Sequence, residues 1–373
     1  MERGRAWPAS AGQLEPGALV VGTYSERLPH VDGRAEGVLG CSLKGDTVGP
    51  PRVLARARNP SFIVLNGDGR RLYAVNESPD FEGEPGGGVT AFCRDPSTGE
   101  LSELNTVPSG GREPAHLGID PSGRYLVVAN YGSGSVTVFE LATDGRIGAV
   151  TGRAEHQGQG PHPLRQGAPH AHMVVFDPCS GQLLVPDLGL DAVLVYALSA
   201  CGGLAEVPGR RLVAVPGAGP RHLAFHPDGD WLFVVNELDN TVVLLRRVEG
   251  GFVTTGTAPT APGHLRSRNQ AAAVKVAPSG RWVLVSNRRP DEGEIAVLGF
   301  DAASGSLELV GRHPSSGLGP RDLLVTRSGK RVVVANQDSS SIVVLAFDDL
   351  RGRLTTLTRT AVPTPACLVP VYK

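Results

Sequence analysis

The alternation of apolar and polar positions along the chain repeats one motif six times. A Pro or small residue opens a short apolar run, a Gly turn follows, and a second apolar run closes on Asn or Asp. The copies span 59–77, 113–131, 168–188, 219–237, 269–288 and 319–337, as in NPSFIVLNGDGRRLYAVNE and GPRHLAFHPDGDWLFVVNE. Their closing residues are Asn76, Asn130, Asp187, Asn236, Asn287 and Asn336, 49 to 57 residues apart. The runs are short, β-branched and bounded by Gly, Pro, Asn and Asp, which marks hairpins rather than helices. A third run follows each copy (GSVTVFEL, NTVVLLRR, SSIVVLAFD), then a turn such as DPSTGE or DAASGS and a weaker fourth run. Four strands in about fifty residues is the arithmetic of a β-propeller blade.

The two ends supply a seventh unit. ALVVGTY matches the second run of the motif, EGVLGCSLKGD the third, and the terminal TPACLVPVYK the missing first. The expected fold is all-β: a seven-bladed β-propeller with four antiparallel strands per blade, its ring closed by pairing the N- and C-terminal strands. Closure removes the open sheet edges that invite aggregation. Residues 1–17 read as a loose tail and 18–373 as one propeller domain.

Strand order assigns faces. The turn into the first strand and the turn out of the second lie at the same end of the ring, beside the central channel. Six equivalent residues at the first turn are Ser61, Ala115, His172, Arg221, Ala272 and Arg321. Sixteen residues later in each copy stand Glu77, Tyr131, Leu188, Glu237, Arg288 and Gln337. A purely structural ring would fill both columns with similar residues. Instead, three successive units place His172, then Arg221 with Glu237, then Arg288 on one rim. Guanidinium groups match carboxylate or phosphate with paired hydrogen bonds, and His or Glu can relay a proton. These four are the candidate catalytic residues. Glu77, Tyr131, Arg321 and Gln337 from the same columns, with His170 two residues before His172, are candidate substrate contacts. The bland alternative, an Arg221–Glu237 pair that only staples one hairpin, leaves His172 and Arg288 unexplained. The recurring Asn residues are too uniform for catalysis and read as caps on backbone groups.

Composition narrows the partners. Gly and Pro number 49 and 30 of 373 residues, as turn-rich all-β chains require, and 36 basic against 37 acidic residues leave a net charge of -1. Near-neutrality argues against nucleic acid and anionic membranes, which demand a basic surface. No apolar run approaches the ~20 residues of a membrane span. Cys41, Cys93, Cys179, Cys201 and Cys367 show no C-x-x-C spacing, and the start MERGRAWPAS lacks an apolar leader core. Together these point to reduced thiols in the cytoplasm and to no structural zinc. No acidic residue stands at ligand spacing from His170 and His172, so no metal is expected. GEPGGG and YGSGS open no helix, which rules out a nucleotide fingerprint and leaves no cofactor. A small anionic molecule is the expected partner; the oligomeric state is not encoded in any of these features.

From GTYS (22–25) to PACLVPV the sequence resembles the lactonase family of seven-bladed propellers, which holds the propeller-type 6-phosphogluconolactonases and the carboxymuconate-cyclising enzymes. GQGPHPLRQGAPHAHMVVFDP (158–178), GPRHLAFHPDGDWLFVVNEL (219–238) and SNR (286–288) carry the likeness most specifically. The resemblance implies a site at His172, Arg221, Glu237 and Arg288, the four that the columns single out. It implies hydrolysis of 6-phosphogluconolactone to 6-phosphogluconate, a step of the pentose phosphate pathway, with Glu237 or His172 as base and loop residues Arg165 and Gln166 on the phosphate or hydroxyls. The chain departs from the family pattern at Ala273, where an acidic residue is usual, and at Arg289, where Gly is common. A muconate-type cycloisomerase and a catalytically silent propeller that binds an anionic metabolite are the alternatives.

Overall fold

The computed structural model describes residues 15–372. Seven antiparallel sheets of four or five strands follow one another along the chain. The blade of residues 219–259 is representative: Pro220–Phe225, Trp231–Asn236, Thr241–Val248 and Gly251–Pro259 pair in chain order. First strands of successive blades touch one another and so form the wall of the axial channel. The ring closes as the end patterns predict. Ala18–Thr23 pairs with Pro365–Val371, bringing Leu19 opposite Pro370 and Val21 opposite Leu368. Of the segment read as a tail, residues 1–14 lie outside the described residues, as does Lys373. Gly17 donates its amide to the Val371 carbonyl, and Glu15 meets Arg331 at 3.3 Å.

The inner strands have two buried faces, because each blade is sandwiched between two others, while the outermost strands stay largely exposed. An apolar layer fills each junction. Trp231, Phe233, Val242 and Leu244 of the fifth blade pack on Val283, Val285, Ala296 and Leu298 of the sixth. Leu19, Val21 and Leu39 of the first pack on Val333, Ala335, Ile342 and Val344 of the seventh. Burial on both faces explains why the second strands are nearly continuous apolar runs. Ala273 sits in the layer between the sixth and seventh blades, fully buried, its amide donating to Ser286 Oγ.

The fourth blade departs from the pattern. The first strand of its repeat copy (168–188) is reduced to Val175–Phe176 and an isolated bridge between Ala171 and Asp187. Its outermost strand is broken into Leu204–Glu206 and Leu212–Val213. The only helical segment among the described residues is a 3-10 turn, Gly263–Arg268, beside the channel mouth.

Candidate active site

The two sequence columns do meet across hairpins. In all six copies the amide of the second-column residue donates to the carbonyl 18 residues earlier (Glu77 to Asn59, Tyr131 to Glu113, Leu188 to His170, Glu237 to Gly219, Arg288 to Gln270, Gln337 to Gly319). This regular clasp holds each second-column side chain at the rim. Where the two columns carry complementary groups they bond: Ser61 Oγ donates to Glu77 at 2.5 Å, and Arg221 Nε stands 3.0 Å from Glu237 Oε2.

Glu237 is the hub. Its Oε2 accepts from Arg288 Nη2 at 2.8 Å and faces Arg221, while Oε1 accepts from Arg165 Nη2 at 2.7 Å. Three guanidiniums from three parts of the chain thus share one carboxylate, and Arg221 and Glu237 are only 1% and 2% exposed. Burial alone would raise the Glu237 pKa, but Arg288, Arg165 and Arg221 outweigh it and hold the carboxyl well below the usual range. Burial, then repulsion from Arg288, lowers the Arg221 pKa to about 9, which leaves it cationic at neutral pH. Arg221 also donates from Nη1 to the Ala272 carbonyl at 2.8 Å.

Above this hub opens a cavity of about 680 Å³, lined among others by Arg165, Glu237, Arg288, Arg321 and Gln337. Arg268 and Arg289 add to its wall, against Asp338 as the further carboxylate. Arg289, one of the two departures from the family pattern, is turned toward Glu294 (2.9 Å) and Asp291 (3.2 Å). Beneath the hub a chamber of about 10 Å³ is bounded by Ser61, His172, Arg221, His222, Arg321 and Asp322. That is room for about one water. The His172 ring is buried, with Nδ1 lacking a hydrogen-bond partner. Burial, then the Arg221 charge, drives its pKa well below that of a free imidazole, so it is neutral at pH 7.

His172, Arg221, Glu237 and Arg288 therefore converge, with Arg165 and Arg321 beside them. Several expected substrate contacts stand behind the wall instead. Gln166 is fully buried: its amide donates to the Leu188 carbonyl (2.8 Å) and Asp191 (2.7 Å) and accepts from the His162 amide. It shapes the loop rather than reaching a ligand. His170 stacks on Tyr131 at 4.4 Å, and Tyr131 Oη accepts from Arg165 Nη2 at 3.2 Å. Both orient Arg165. Glu77 accepts from Tyr24 Oη at 2.7 Å and lies 3.8 Å from Arg321, which it backs. The column reading missed His30 and Arg268, which fall in irregular segments with no repeat to index them, and Tyr24, which follows the second run of the first blade and clasps the Thr364 carbonyl but stands outside the six indexed copies; His222, directly after Arg221, was visible but lies one step below the rim.

The match to the family described as "Lactonase, 7-bladed beta-propeller" runs over residues 18–370. A 6-phosphogluconolactonase of Bacillus subtilis is 33% identical over 353 residues, 93% of this chain and 96% of that protein. The crystal structure of a putative 6-phosphogluconolactonase from Bacteroides fragilis aligns with a TM-score of 0.86 at 30% identity, over 98% of this chain and 100% of that one. That of the Pseudomonas aeruginosa periplasmic gluconolactonase aligns with a TM-score of 0.85 at 32% identity, over 95% and 98%. Blade count, rim geometry and these likenesses agree, and the chain belongs to the lactonase family of seven-bladed β-propellers.

Proposed function

We propose that this protein hydrolyses a phosphorylated sugar lactone, 6-phosphogluconolactone to 6-phosphogluconate, in the cavity at the channel mouth. The observation that carries the reading is the Glu237 hub: one buried carboxylate fixing three guanidiniums at the floor of a cavity with further arginines on its wall. Such a surface binds a phosphate by bidentate contacts and stabilises the oxyanion that forms when water attacks the lactone carbonyl. A fixed donor of this kind is typically worth ~3 kcal/mol.

Glu237 is ionised, with both oxygens engaged by arginines, which makes it a weak base; it serves as the counter-charge that holds the guanidiniums in place. His172 is neutral and has a free ring nitrogen beside the one-water chamber. It takes the proton of the attacking water and returns it to the ring oxygen as the C–O bond breaks, yielding the hydroxy acid. A strained ester opens slowly even unaided, so positioned cations and one imidazole suffice chemically.

The Bacillus relative is named for the phosphorylated lactone and the Pseudomonas one for gluconolactone and the periplasm. The cytoplasm, where sugar phosphates are made, goes with the phosphorylated substrate and is part of the proposal. Initial rates of acid release from both lactones, corrected for spontaneous opening, test it. A clear preference for the phosphorylated lactone is expected; faster turnover of the unphosphorylated one, or of a muconate, overturns the assignment.

A further inference from the structure

One buried pair of ionisable groups lies outside the mechanism: His156 and Asp187, joined at 2.6 Å between Nδ1 and Oδ2 with both side chains wholly buried. The repeats show what stands there elsewhere. Five of the seven second strands close on Asn, and at three of them the Asn amide donates to a Ser or Thr carbonyl at the end of the preceding blade: Asn130 to Ser109, Asn287 to Thr260, Asn336 to Ser315. Ser109, Thr260 and Ser315 occupy one equivalent place, each sending its own amide to the residue just before the third strand of its blade. His156 occupies that place in the third blade, its amide donating to Gly134. Both halves of the blade-to-blade stitch are thus exchanged at one junction, Ser or Thr for His and Asn for Asp.

The exchange reverses the polarity of the contact. An ionised carboxylate only accepts, so Asp187 receives the His156 ring. Its Oδ1 is left to take the amides of His170 at 2.7 Å and Leu190 at 3.1 Å. This junction is also where the first strand is cut short. Pro114–Ile119, Pro220–Phe225, Ala271–Val276 and Pro320–Val325 have six residues each and Ile63–Leu65 has three, whereas Val175–Phe176 has two. The segment carrying His172 therefore has little ladder to hold it. It is fastened by the Asp187 carboxylate at His170, by the Ala171–Asp187 bridge, and by the His172 amide on the Pro186 carbonyl at 3.0 Å. The path into the strand differs as well. The residue two before the column position has positive φ in five blades (Asn59, Glu113, Gly219, Gly319 and Thr364), whereas His170 and Gln270 do not.

We infer that Asp187, with His156 clamping it from the preceding blade, is a positioning pair that sets the His170–His172 segment and so aims the His172 imidazole at the chamber. Neither residue touches substrate. The inference rests on the lactone-hydrolase reading, in which His172 moves the proton, and it accounts for a buried His–Asp pair standing at the junction that carries His172.

The test rebuilds the ordinary stitch. The double variant His156→Ser, Asp187→Asn recreates the Ser–Asn pairs found at Ser109–Asn130 and Ser315–Asn336. It should keep cooperative unfolding while kcat for the phosphorylated lactone falls about 100-fold, the scale of a 1 Å misplacement, with KM within about twofold. Asp187→Asn alone, the same size as the native side chain, should show the same split more weakly and serves if the double variant does not fold. Wild-type kcat in a folded variant, or a loss confined to KM, overturns the inference. Wild-type enzyme assayed beside them keeps the two questions apart, since a wild type that does not accelerate lactone opening sinks the functional reading instead.

Discussion

At the scale of single residues, the arrangement around Glu237 fixes what a substitution can report. The carboxylate is buried and neutralises part of the charge of Arg165, Arg221 and Arg288. Removing one partner of a buried ion pair costs about 3–5 kcal/mol, because the other charge is left uncompensated. Glu237→Gln, which keeps shape and loses charge, should therefore lower both stability and turnover, and not turnover alone as an exposed residue would. The pH dependence has a definite sign. The folded-state pKa of Glu237 lies below its unfolded value of about 4.3. Its contribution to stability is thus complete above that value and is lost as pH falls through the folded pKa. Urea titrations from pH 6 down to pH 3 should show a steep acid decline in the native protein and a shallower one in Glu237→Gln. Equal slopes would mean the carboxylate is not held ionised by its arginines.

At the scale of elements, the first strands carry more than the rim. His116 in Pro114–Ile119, His222 in Pro220–Phe225 and His172 between them converge in the channel, with ring centroids 5.8 Å apart for His116–His222 and 5.2 Å for His172–His222. Burial first, then the Arg221 charge, joined by Lys275 for His116 and His222, pushes all three well below the free imidazole value. The unfolded chain binds protons below about pH 6.5 that the folded channel refuses, so stability is full above that pH and falls as pH drops below it. Unfolding free energies measured between pH 7 and 5 should fall with a slope approaching three protons, and His222→Gln should reduce that slope by one. These channel histidines also mark how far the sequence could be read. The 16-residue offset between columns follows from hairpin symmetry, which is why Arg221, Glu237, Arg288 and His172 could be indexed before any coordinates. Arg165 and Gln166 had no repeat to index them. Adjacent residues in an irregular turn point opposite ways, so one faces the cavity and the other is buried. The shortened strand of the fourth blade was hidden for a different reason: its apolar pattern is intact, but a carboxylate has replaced its ladder.

At the scale of the whole molecule, the site exists because the ring closes. His172, Arg221 with Glu237, and Arg288 come from three successive blades, and Tyr24 and Glu77, which back Arg321, come from the first and second. The strand Pro365–Val371 joins the seventh blade to the first. A truncation ending at Thr364 removes none of the charged site residues, yet it uncovers the edge of Ala18–Thr23 and opens the ring. The shortened chain should aggregate, lose its cooperative transition and be inactive, as gel filtration and calorimetry would show. The central claim, that clustered guanidiniums at the mouth catalyse lactone opening, is met most directly by a pH-stat assay of 6-phosphogluconolactone with the native protein and with Arg288→Ala. The account predicts kcat/KM above roughly 10⁴ M⁻¹s⁻¹ for the native protein, within the usual enzymatic range, and a value about 100-fold lower for the variant. Acid release no faster than in buffer, or a variant as fast as the native protein, would contradict it.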